Sequence, residues 1–281
     1  MFPIQQQLIN SFKQGLHFHQ VPLIMYHVIL IVTICLNILY PVMVRSDEPV
    51  QLVYAASEWV PYTSKSEDNL PQGLYIDILE SIFEDELGVS FTYLQVPWKR
   101  AQYYVEQGEA DFIITVATGK RLEYAIASAL PVLEIYLHIF TYADHPLKKN
   151  IDGIVSKEDI KRLQLTPVTN LGNGWHRDNI DSLGVSTHYV DNEQTAFRIV
   201  AEKRADITIE PVYAGYHFIN SLNLAGMVEM SPARFGPIKM HLLMSRKSKH
   251  LSLLPQINQA IEKLTKNGTL ETISAAYRQL K

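Results

Sequence analysis

The pattern of apolar and polar positions divides the chain into two unlike parts. Residues 14–44 contain no Asp, Glu, Lys or Arg, and VPLIMYHVILIVTICLNILYPVMV (21–44) is apolar over a length that could cross a bilayer, which takes about 20 residues. Its densest part, 28–40, has the length of a signal-peptide hydrophobic region, and Pro41 then breaks the helix. V-R-S, ending at Ser46, places small residues three back and one back from a cut before Asp47. The expectation is therefore export, with 1–46 a signal peptide. An uncleaved membrane anchor and a start at Met25 are the rivals. No polar face recurs at helical spacing, which argues against a buried soluble helix.

From residue 50 onward, strands and helices alternate. QLVYAAS (51–57) reads as a short strand. After Gly73, Ile76, Leu79, Ile82 and Phe83 recur at helical spacing up to Gly88. VSFTYLQV (89–96) alternates as a strand, Trp98 to Gln107 reads as a helix closed by Gly108, and ADFIITVA (110–117) reads as a strand buried on both faces. A second series follows the polar linker ADHPLKKN (143–150). It comprises strand TPVTNL (166–171), a turn into a helix at 172–183, strand STHYV (186–190), helix NEQTAFRIVAEKR (192–204) and strand ADITIEP (205–211). Strand IKMHLLMS (238–245) and two amphipathic helices separated at Asn267-Gly268 close the chain. QYYVEQGEADFIITVA (102–117) and AFRIVAEKRADITIEP (196–211) share a helix, a turn, then Ala-Asp and an apolar strand. Two such units imply two α/β lobes, each with a mainly parallel sheet flanked by helices.

Composition matters once this division is made. The 281 residues carry a formal charge of −4 and one cysteine, Cys35. Residues 1–46 hold only Lys13 and Arg45 as charges, so the remainder carries −6 and no cysteine. That gives no reason to expect a nucleic acid partner, and no oxidative folding is needed after export. No G-x-S-x-G, Walker loop, H-E-x-x-H or G-x-G-x-x-G stands in the sequence. The body histidines show no metal-site pairing. No cofactor, no metal and no catalytic activity are expected.

Six segments in this order resemble a known family: EWVPY (58–62), GLYIDILESIFEDELG (73–88), PWKRAQYYVEQGEADF (97–112), TGKRLEYAIAS (118–128), RADITIEP (204–211) and LLMSRKSKHLSLLPQINQAIEKLTKNGTLETISAAY (242–277). Together they are similar to the family 3 bacterial extracellular solute-binding proteins, periplasmic receptors of amino-acid ABC importers. The resemblance implies a two-lobed periplasmic-binding-protein fold. Lobe 1 would be 47–140 plus 242–281 and lobe 2 would be 145–236, with hinges at 141–144 and 237–241. It further implies a monomer in the periplasm, a small polar ligand of amino-acid type in the cleft, and an ABC permease as partner.

The resemblance also nominates the site. Arg121 stands where the family binds the ligand carboxylate, and a guanidinium fork suits a planar carboxylate. A surface ion pair with Glu123 is the alternative. Glu210 stands where the family usually has an aspartate for the ligand's amino group, at the end of an apolar strand where cleft residues emerge. A solvated strand-end acid is the alternative. Asn173 and Gly174 lie in a turn at a helix start, where free N–H groups face anions. Trp59 and Tyr62 could stack on the ligand, although core packing competes for Tyr62. Thr115 and Thr118 retain hydroxyls on the approach to Arg121, while Val116 replaces a frequent Ser or Thr. Trp98 and Arg100 of PWKR, and Asp77, complete the candidates, with structural roles open for Arg100 and Asp77. An enzyme on the same fold, similar to cyclohexadienyl dehydratases with Glu210 as acid, and a membrane-tethered sensor are the competing functions.

Overall fold

The computed structural model describes residues 50–278. The leader, with its signal-peptide and anchor readings, lies outside them. Strand β1 (Gln51–Ala56) leads through a small hairpin, β2 (Ser64–Lys65) and β3 (Pro71–Gln72), into helix α1 (Leu74–Glu80), which widens into a π-turn at Ser81–Asp85. Then come β4 (Ser90–Gln95), α2 (Trp98–Gln107), β5 (Phe112–Thr115), α3 (Gly119–Tyr124), β6 (Ala125–Ala127) and the long β7 (Leu133–Tyr142). The next stretch holds α4 (Lys148–Asp152), α5 (Glu158–Arg162), β8 (Val168–Asn170), α6 (Gly174–Asn179), β9 (His188–Val190), α7 (Glu193–Ala201), β10 (Ile207–Pro211) and α8 (Val212–Ser221). The 18-residue β11 (Val228–Ser245), α9 (Leu254–Lys266) and α10 (Thr269–Arg278) complete it.

The sheet runs β10-β7-β11-β5-β1-β4, with β6 also on β11. Only part of it is parallel: β1 with β4 and β5, and separately β8 with β9. β11 is antiparallel to β5, β6 and β7, and β7 is antiparallel to β10. The expected mainly parallel sheets are thus corrected to a mixed α/β sheet. The cause is long-range: two strands, β7 and β11, lie side by side over most of their length, and a neighbouring pair of opposite direction must be antiparallel. The β7–β11 ladder shifts register between Met230 and Arg234 and again between Phe235 and Ile238. The second shift contains Pro237, which has no N–H to give a ladder.

The internal repeat has a structural counterpart. Asp111 accepts from the Val53 amide at 2.8 Å and from Ser248 Oγ at 2.5 Å. Asp206, at the equivalent position, accepts from the Thr166 amide at 2.6 Å and lies 3.0 Å from His145 Nε2. Each aspartate fastens the start of its strand to neighbouring chain. The repeat therefore brings Thr115 and Glu210, also equivalent, to the same end of their strands. Behind β1 and β5 pack Ile82, Phe83, Ile257 and Ile261, all fully buried; behind β7 and β10 pack Phe197 and Val200. Each such side chain contributes about 1.5–3 kcal/mol relative to exposure.

Candidate functional site

The C-terminal ends of β1, β5, β8 and β10 open on a cavity of about 110 Å³, the place where open α/β sheets bind ligands. Its walls are largely apolar and aromatic, with Tyr54, Tyr75, Trp59, Trp98 and Trp175 among them, and its polar groups are few. That is the usual make-up of a small-molecule site.

Arg121, on α3, is 3% exposed. Its Nε donates to Gln102 Oε1 at 3.1 Å, Nη1 to the Val116 carbonyl at 3.0 Å and Nη2 to the Gly172 carbonyl at 3.1 Å. These acceptors are neutral. The guanidinium also lies over the Trp98 ring, 5.4 Å from its centroid. Burial pulls its pKa down to about 10, so it remains a cation at neutral pH. Trp98 Nε1 and Gln102 Nε2 donate to the same Gly172 oxygen, at 3.2 and 3.1 Å. Three side chains thus converge on one carbonyl. Gly172 adopts φ +88°, and a Cβ there would stand 2.6 Å from Gln102 Nε2, so the approach requires glycine.

Glu210 ends β10 and is 6% exposed. Its Oε2 accepts from Trp59 Nε1 at 3.4 Å. Burial, then the neighbouring charge of Glu193, pushes its carboxyl well above the ordinary glutamate range, and the Trp59 bond only partly offsets this. Glu193, half-buried at the first position of α7, lines the same cavity and accepts from Asn170 Nδ2 at 2.6 Å. Burial raises its pKa as well.

Of the residues nominated from sequence, Arg121, Glu210, Trp59, Trp98, Thr115 and Asn173 line the cavity. Asn173 spends its side chain on capping α6, accepting from the His176 amide and donating to Thr169 Oγ1. Gly174 and Thr118 sit just outside: a Cβ at Gly174 would be 3.2 Å from both Arg121 Cζ and Thr118 Cγ2, and Thr118 Oγ1 is buried without a partner among the described residues. Tyr62 is buried behind Trp59, their rings stacked at 4.2 Å, and faces a separate hollow of about 560 Å³ instead. Two nominations fall away from the cavity. Arg100 is exposed on α2, while Asp77 accepts from the Tyr277 hydroxyl at 2.8 Å and ties α1 to α10. Glu193, Asn170, Gln102 and Trp175 were not nominated. Glu193 stands just after strand β9, the kind of position that supported Glu210, and that could have pointed to it; Gln102 carried no local signal.

A sequence profile of the bacterial extracellular solute-binding proteins, family 3, matches residues 52–279. No curated protein matches the chain by sequence. Among solved structures, an ancestral arginine-binding protein bound to arginine matches with a TM-score of 0.64 at 24% identity, over 81% of this chain and 97% of its own. A histidine kinase sensor domain with similarity to periplasmic binding proteins matches with 0.68 at 17% identity, over 82% and 96%. An ancestral amino acid-binding protein, a precursor of cyclohexadienyl dehydratase, matches with 0.64 at 18% identity, over 81% and 94%. At these identities the likeness carries the fold alone.

Proposed function

The chain belongs to family 3 of the bacterial extracellular solute-binding proteins, and on that premise we propose that it captures a small amino-acid-like ligand in the cavity and delivers it to an ABC-type importer. The observation that supports this most is Arg121. A guanidinium so deeply buried normally needs a negative partner, because removing a charge from water is costly. Here its hydrogen bonds go to neutral oxygens, and a ligand carboxylate would supply the missing charge. Glu210 would take the ligand's ammonium, and Trp59 would cover it.

The expected lobes are 47–140 with 242–281 and 145–236; because β10 pairs with Leu137–Thr141 of β7, in this reading residues 138–140 go with the second lobe. The β7–β11 ladder is interrupted between Phe235 and Ile238, opposite Ile135–Leu137, so we put the flexing there, overlapping the expected 237–241 segment and preceding 141–144. Closure follows from a ligand touching both lobes at once. Among the described residues no helix is long and apolar enough to cross a membrane; export would rest on the leader. A thermal-shift screen of the purified protein against amino acids, short peptides and organic acids tests the reading. A ligand at 100 times its Kd adds about 2.7 kcal/mol of stability, and a flat response across the screen would sink it.

A second reading has one observation in its favour. Glu210, whose carboxyl burial pushes well above the ordinary glutamate range, is suited to donate a proton as an acid catalyst would. Turnover of prephenate or arogenate would support an enzyme; binding without turnover would exclude it.

A further inference from the structure

The cavity holds one buried cation and two carboxyls, and a zwitterion with a single ammonium does not balance them. Resting on the reading above, we propose that Glu193 and Glu210 form a two-carboxyl subsite that selects ligands bearing a second cationic group beside the α-ammonium, with Glu193 the specificity-determining residue. The argument begins with geometry. Glu210 emerges from β10 and Glu193 from the start of α7, and both line the same cavity as Arg121. Each has one oxygen held by a neutral donor, Trp59 Nε1 on Glu210 and Asn170 Nδ2 on Glu193. Neither donor neutralises charge.

The other titratable groups around the pair leave the balance unchanged. Tyr62, Tyr54 and Tyr75 have their hydroxyl pKa values raised by burial and stay neutral. His138, the strand partner of Glu210 on β7, is pulled down by burial and stays neutral near pH 7. Arg121 is therefore the cation the cavity brings, one positive charge against two carboxyls that carry two negative charges only when neither keeps a proton. A ligand with one carboxylate and two cations, such as an amino acid with an amine or guanidine on its side chain, brings the sum to zero. A neutral amino acid does so only if one carboxyl keeps a proton, and burial together with the mutual repulsion of the pair favours that proton in the empty site. Binding of a dibasic ligand should displace it; binding of a neutral one should not.

The test is calorimetric titration of the full chain with L-lysine, L-arginine and L-norleucine, in buffers of different ionisation heat and at about pH 8 and about pH 6. Expected are at least about tenfold tighter binding of lysine or arginine than of norleucine at the higher pH, about one proton released with the dibasic ligand and none with norleucine, and a preference that shrinks on acidification. Glu193→Gln should erase both the preference and the proton release; the wild-type pH series stands independently if that variant does not fold. Norleucine binding as tightly as both dibasic ligands, or a preference untouched by Glu193→Gln, overturns the proposal while leaving amino-acid capture intact. If no amino acid binds, both fail together.

Discussion

Arg121 donates from Nη2 to the carbonyl oxygen of Gly172 over 3.1 Å, joining residues 51 positions apart in sequence at the rim of the cavity. Trp98 and Gln102 donate to that same oxygen, so Arg121 is held in place before any ligand arrives. A preorganised fork loses little entropy on binding a carboxylate.

Arg121→Ala should weaken an amino-acid ligand by about 100-fold or more, as expected for truncating one partner of a buried hydrogen-bonded charge pair. Arg121→Lys keeps the charge but loses the fork and should recover only part of that affinity. Isothermal titration of the three proteins with the best hit of the ligand screen measures both. Equal affinities would mean the carboxylate is bound elsewhere.

Glu210→Gln should uncouple stability from binding. The folded pKa of Glu210 lies above its ordinary value of 4.5, so between those two values the folded state holds more protons than the unfolded one, and stability falls as pH rises. The amide removes that loss. The ligand-free variant should therefore melt higher than wild type at alkaline pH, while its amino-acid affinity drops. A variant that melts lower at alkaline pH than wild type contradicts the assignment.

His176 should act in the opposite sense. It is fully buried, its Nε2 lies 3.0 Å from Thr187 Oγ1, and burial pulls its pKa from 6.5 to about 4, with the Asp181 charge only partly opposing. The unfolded chain takes up the proton first as pH falls. Stability is thus complete above pH 6.5 and is lost on acidification through about 4, by up to about 3 kcal/mol. Denaturant unfolding at a series of pH values should show this slope, and His176→Gln should flatten it.

Gly215→Ala tests the packing behind β7. A Cβ at Gly215 on α8 would stand 2.0 Å from Phe140 Cζ, and the Phe140 ring is enclosed by Phe197 and Tyr216. The helix-propensity gain of about 1 kcal/mol for Ala over Gly is outweighed by overpacking. A net loss of about 2 kcal/mol, or about 4–8 °C in Tm, is expected. An unchanged or higher Tm would show that the ring has room to move.

Much of this fold is legible locally. α2 is legible to the residue, because Pro97 starts it and Gly108, with φ +81°, ends it. β10, read as a buried strand, is buried at all five positions, Thr208 and Glu210 included. The antiparallel core of the sheet was not legible in the same way. The stretch of β11 up to Pro237 contains Pro232, Gly236 and Pro237, which break strands locally and are tolerated here where the β7 ladder shifts register. The 143–150 linker ends in α4, held by Lys148 pairing with Asp152 at 2.7 Å. In the site, Arg121 and Glu210 are nominated by the resemblance to family 3, Glu210 with the added support of standing at the end of its strand. Gln102 and Gly172 meet only because distant segments fold together, and Arg100, inside a family-like motif, faces solvent on the opposite side of the same helix. Val116, noted for the hydroxyl it lacks, contributes its carbonyl to Arg121 instead.

The most direct test of the central claim, that Arg121 recognises a ligand carboxylate in this cavity, compares each amino acid with its decarboxylated amine by isothermal titration: L-lysine with cadaverine, and L-arginine with agmatine. The account predicts that for at least one pair the amine binds wild type about 100-fold or more weakly, and that Arg121→Ala abolishes the difference. An amine that binds wild type as tightly as its parent amino acid would contradict it.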